Sequence, residues 1–288
     1  MPAAYMGLLT TFYLPFAKWL QGTKKQQSRP LVVGICGAQG SGKSSIAQLT
    51  AQVVAACYGL RILVLSLDDF YLTKRRRIQL AATLHPLFLT RGVPGTHDTR
   101  LGMAVLRRLL IQSPESWVNL PVFDKASDDR CAVSHCLRFQ GRPDIILFEG
   151  WCVGARPQDP EQLLPALNAL EKEQDPQGTW RQAVNKQLAG PYQQWFALLD
   201  KQVLLQIPGF SWVQEWRGLQ EKKLLMNHPR EHQRTNPDYR ALQQFIMHYE
   251  RLTRHILMEM PQHADLVIPI DPAHNPLWPG ECRGSLRP

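Results

Sequence analysis

Gly37-Ala38-Gln39-Gly40-Ser41-Gly42-Lys43-Ser44 is the stretch on which the fold turns. It satisfies G-x-x-x-x-G-K-[ST], follows the apolar run Leu31 to Cys36 and opens a helical pattern, the context that makes such a match meaningful. Its glycines let successive backbone N–H groups curl round phosphates, and the next helix adds its positive N-terminal end. Residues 37–45, Ser45 included, form the expected nucleotide cradle. Lys43 neutralises β- and γ-phosphate oxygens and Ser44 ligates Mg²⁺ in this reading, so ATP and Mg²⁺ are the expected cofactors.

Working outward, β-rich apolar runs recur at Arg61 to Leu67, Asp144 to Phe148, Gln202 to Ile207 and Asp265 to Ile268, with helical patterns between most of them. Alternating strands and helices imply a three-layer α/β fold with a mainly parallel sheet. The expected organisation is a helical N-terminal extension over 1–28, whose Leu8, Leu9, Phe12, Phe16 and Leu20 share one stripe, a domain over 29–274 and a tail over 275–288. A lid region is expected at about 211–237. The long stretch Leu72 to Arg100, rich in Pro and Gly, reads as an irregular functional loop.

Of 288 residues, 44% are hydrophobic and 20% charged, an ordinary globular balance. The net charge of +9 is spread along the chain without zinc-finger or RNA-binding signatures, so nucleic acid is not an expected partner. Its only dense run, Lys74-Arg75-Arg76-Arg77, reads as a solvated helix face. Six cysteines without a C-x-x-C pair fit a reducing compartment, and Cys131, His135 and Cys136 lack the second ligand pair that zinc needs. No signal peptide or membrane span is expected, and the localisation read from this is cytoplasmic.

Carboxylates stand at the strand ends. Asp68 and Asp69 follow the second run and Glu149 the third, where ligands collect outside the carboxyl ends of an open α/β sheet. Asp68 is placed to take a proton from an attacking hydroxyl, and Glu149, with Ser44 and Asp68, to serve the metal.

At these residues the chain resembles the kinase superfamily of uridine kinase, phosphoribulokinase and bacterial pantothenate kinase. Within it, the closest likeness is to the plant-type D-glycerate 3-kinase family and its bacterial relatives. Asp68-Asp69-Phe70-Tyr71-Leu72-Thr73, His85-Pro86-Leu87, Arg91 through Asp98, Pro121 through Ala126, Asp128-Asp129-Arg130, Glu149-Gly150-Trp151 and Trp216-Arg217 carry it. The resemblance implies transfer of the ATP γ-phosphate to the 3-hydroxyl of D-glycerate. It makes Asp68 the base, Lys43 and the lid residue Arg217 its catalytic partners, and Asp69, Tyr71, Arg91, His97, Asp98, Lys125 and Arg130 the acceptor set. Another acceptor, such as a nucleoside or pantothenate, and a nucleotide-binding regulatory ATPase remain alternatives at this point.

Overall fold

Every residue of β1, Leu31–Gly37, is buried, because the strand lies at the centre of a parallel sheet covered on both faces. The computed structural model describes residues 7–216 and 239–279. Its main sheet has the order β2-β7-β1-β8-β9, formed by Ile62–Ser66, Ile145–Gly150, Leu31–Gly37, Lys201–Gln206 and Leu266–Pro269, all parallel. These are the five expected strands.

The alternation of β7 shows how the layers form. Ile146 and Phe148 face one core with Trp195, Leu106 and Ile256, while Ile145 and Leu147 face the other with Ile46, Val54 and Phe16. The first core lies under α4 (Thr99–Ile111) and the C-terminal helix Tyr239–Glu259. The second lies under α1 (Leu14–Lys24) and α2 (Lys43–Tyr58). Phe12, just before α1, and Phe16 and Leu20 within it are fully buried there, which stabilises this N-terminal helical segment on the sheet by roughly 1.5–3 kcal/mol per side chain. Residues 275–279, read from sequence as part of a tail, also join this core: Ile270 bridges Pro276, and Trp278 packs against Phe12 and Phe16.

Two features differ from the expectation. The stretch Leu72 to Arg100 is not irregular throughout: it holds α3, Lys74–Thr83, whose first turn is capped by the Thr73 hydroxyl, and a 3-10 turn at Pro86–Leu89. Nor is the basic run wholly solvated. Arg77 is 1% exposed and donates to the carbonyls of Leu72, Leu89 and Asp128, because α3 turns that position inward on the hairpin that follows. Two antiparallel ribbons, β3–β6 (Trp117–Leu120 with Leu137–Gln140) and β4–β5 (Phe123–Asp124 with Asp129–Arg130), had no periodic signature long enough to read. Among the described residues, no helix is long and apolar enough to cross a membrane.

Candidate active site

The phosphate loop links β1 to α2 in the predicted way. Gly40 and Gly42 have φ of 79° and 81°, left-handed backbone that a side chain would strain. A Cβ on Gly37 would meet Ser41 Oγ at 2.6 Å. His274, after β9, stacks on Trp216 with ring centroids 4.3 Å apart and borders the loop beside Gly42. Residues 211–216 are helical; Arg217, the expected lid cation, and Lys222 and Lys223 beyond it lie outside the described residues.

Sheet register aligns the acidic ends. Glu149 pairs with Ile35 on one side and Ser66 on the other, so it lies between the phosphate loop and the turn that carries Asp68. Glu149 is 3% exposed, accepts a 2.8 Å hydrogen bond from Ser44 Oγ through Oε1, and among the described residues has no partner at Oε2. A buried carboxylate with one oxygen unpaired, beside a hydroxyl and phosphate-binding amides, is an all-oxygen donor set that suits Mg²⁺, an ion that keeps waters and phosphate oxygens in its shell. The fit does not need a protein cage, and among the described residues no group of three or more His, Cys, Asp or Glu is clustered for a metal.

Asp68 and Asp69 sit in the 3-10 turn Leu67–Phe70, which Ser66 caps, so both carboxylates are left for other partners. Asp68 Oδ2 accepts a 2.7 Å hydrogen bond from Lys125 Nζ, and Asp69 Oδ1 accepts from Phe123 N at 3.2 Å. Both partners belong to β4–β5 and its turn. Burial works to raise the Asp68 carboxyl, but the charges of Lys125 and Lys43 outweigh it and hold the group at about 2. Burial pushes Asp69 up to about 6, against the Phe123 N–H and with the charges of Asp68 and Glu149 adding to it.

The hairpin that delivers Lys125 is anchored by ion pairs. Asp128, at φ 55°, receives Arg77 at 2.9 Å and also Arg91, while Arg130 holds the Tyr71 carbonyl and the Asp98 carboxylate. Asp98 also caps α4 through Leu101 N and pairs with Arg76. His97 bridges Tyr71 and stacks on its ring at 4.4 Å. The structure therefore brings Asp68, Asp69, Tyr71, His97 and Lys125 together. It sets Arg91, Asp98 and Arg130 in the ring of ion pairs that supports them.

Sequence reasoning missed two tyrosines. Tyr249 of the C-terminal helix donates to Arg91 O at 3.1 Å, and Tyr192 receives the Gly95 and His97 amides. Each reaches the 91–98 loop from a distant helix, and no local pattern marks it.

No family model matches the chain. The chain is 34% identical over 217 residues to mug58, an uncharacterized kinase of Schizosaccharomyces pombe, covering 72% of this chain and 76% of that protein. It is 31% identical over 195 residues to the chloroplastic D-glycerate 3-kinase of Arabidopsis thaliana, covering 65% of this chain and 40% of the plant protein. A solved D-glycerate 3-kinase from Cryptococcus neoformans matches with a TM-score of 0.69 at 25% identity, over 84% of this chain and 88% of that one. With its phosphate loop, its strand-end carboxylates and these relatives, the chain belongs to the D-glycerate 3-kinase family of P-loop kinases.

Proposed function

We propose that this kinase transfers the γ-phosphoryl group of ATP to the 3-hydroxyl of D-glycerate, giving 3-phosphoglycerate and ADP. The observation that carries the reading is the 2.7 Å pair of Lys125 Nζ and Asp68 Oδ2. A base and a cation one hydrogen bond apart suit an acceptor whose hydroxyl and carboxylate are separated by only a few bonds. The two relatives named D-glycerate 3-kinase support the same acceptor.

In this mechanism the acceptor carboxylate takes Lys125 away from Asp68, and Asp68 accepts the proton of the attacking hydroxyl. Lys43 and the loop amides hold the phosphates in line and absorb charge on the transferring group. Magnesium, when bound, neutralises the β- and γ-phosphates; Ser44 and Glu149 are the residues that would hold it. The cytoplasm suits the chain, since the five cysteines among the described residues are free thiols.

The test is a coupled ADP-release assay with Mg-ATP and D-glycerate, L-glycerate, uridine, pantothenate or no acceptor. Strong D-glycerate dependence with 3-phosphoglycerate as product is expected. Turnover only with another acceptor would keep the kinase and replace its substrate, and acceptor-independent turnover would leave an ATPase.

A further inference from the structure

The Tyr192 hydroxyl sits among three nitrogen atoms. The backbone N–H groups of Gly95 and His97 donate to it at 3.0 and 3.3 Å, and His97 Nδ1 lies 2.6 Å away. A phenol has one proton and two lone pairs. Two N–H donors occupy the lone pairs, so the hydroxyl proton goes to Nδ1, and a neutral His97 must carry its own proton on Nε2. His97 is only 4% exposed, and Nε2 has no hydrogen-bond partner among the described residues. A buried N–H without an acceptor calls for one from outside the chain.

The ring is held for that purpose. It stacks on Tyr71 at 4.4 Å with an interplanar angle of 21°, and Tyr192 meets it edge-on. Tyr192 ends the π-helical segment Leu188–Tyr192, which contains Pro191; such bulges re-aim side chains and gather at functional sites. The charged group acting on the ring is Asp68, whose other neighbours are Lys125, Lys43 and the Tyr71 hydroxyl. Burial pushes the imidazole down to about 3, in keeping with a neutral donor.

We propose that Tyr192 is a positioning residue that locks His97 in the Nε2–H tautomer, and that this N–H donates to an oxygen of the acceptor, a small hydroxy acid. The inference deepens the reading above and rests on it for the acceptor's identity. A neutral donor at this place orients the substrate without adding a further cation to Lys125 and Lys43 beside Asp68, so the proton affinity of the base is not lowered further.

Nitrogen-15 NMR of histidine-labelled protein reads the tautomer directly, with or without knowledge of the acceptor. The free wild-type enzyme should show His97 neutral, protonated at Nε2 and bare at Nδ1. Adding D-glycerate with a non-hydrolysable ATP analogue should move the Nε2 resonance. Tyr192→Phe should mix the tautomers and raise KM for D-glycerate about tenfold, the loss of one hydrogen bond, with KM for ATP unchanged. A free enzyme protonated at Nδ1, a charged His97 at neutral pH, or an unchanged acceptor KM in Tyr192→Phe would each overturn the proposal. If that variant does not fold, the wild-type titration decides: an Nε2 resonance indifferent to the acceptor sinks it. Should the acceptor panel return another substrate, that compound takes the place of D-glycerate, and the free-enzyme tautomer still stands or falls by itself.

Discussion

Arg77 Nη2 lies 2.9 Å from Asp128 Oδ2, and the arginine side chain is 1% exposed while the aspartate keeps 31%. One buried cation on α3 thereby pins the hairpin that carries Lys125 to Asp68. Breaking a buried ion pair from one side costs about 3–5 kcal/mol. Arg77→Met should lower the unfolding midpoint accordingly and raise the acceptor KM. Arg76→Ala, one residue earlier with a side chain 60% exposed, should shift stability by under about 1 kcal/mol. Denaturant titration of the pair checks this; equal effects would mean that burial at position 77 is not what anchors the hairpin.

Asp68→Asn should leave ATP affinity within a few fold and reduce kcat by about 10²–10⁴, the range for a positioned general base. ATP binding by fluorescence and single-turnover phosphate transfer separate the two quantities. Turnover near the wild-type level would remove Asp68 from that role.

Lys125→Met removes the cation that meets Asp68. The acceptor KM should rise about 10- to 100-fold, as for a lost charge-assisted hydrogen bond, with KM for ATP little changed. Steady-state kinetics against both substrates measures it, and a rise confined to ATP would place Lys125 on the nucleotide side instead.

The two neighbouring aspartates have opposite pH signatures. Asp68, near 2 when folded against about 3.9 when unfolded, contributes stability present above pH ~4 and lost as pH falls toward 2. Asp69, near 6 when folded, binds more protons in the native than in the unfolded state between pH ~4 and ~6, so its contribution weakens as pH rises through that window. Asp69→Asn should flatten that decline in urea midpoints measured between pH 4 and 6. An identical pH slope in the variant would assign the titration elsewhere.

Gly92 has φ 141°, and a Cβ there would lie 2.1 Å from the Tyr249 hydroxyl oxygen. Gly92→Ala combines this overlap with a backbone region that costs about 1–3 kcal/mol for a non-glycine residue. A drop in melting temperature with loss of acceptor affinity is expected, read by calorimetry and kinetics; a variant with native stability would show that the loop can move away from the helix.

The sequence by itself determined the phosphate loop, the five strands and the strand-end carboxylates. Gly37 to Ser44 is a contiguous motif whose backbone demands are local, and Leu31 to Gly37 or Ile145 to Gly150 must be apolar to lie inside a parallel sheet. Residue type could not rank Arg91, Arg130 and Lys125, three cations in the segments expected to line the acceptor side. Tertiary structure ranked them: Asp128 and Asp98 engage the two arginines, and Lys125 alone of the three meets Asp68. It also turned Arg77 inward, out of a run whose neighbours face water. Tyr192 and Tyr249 come to the 91–98 loop across 95 and 158 residues, by contacts that exist only once the helices bearing them have packed. A side chain's charge partner, tautomer and proton affinity depend on what long-range packing sets beside it, and local sequence carries no record of that.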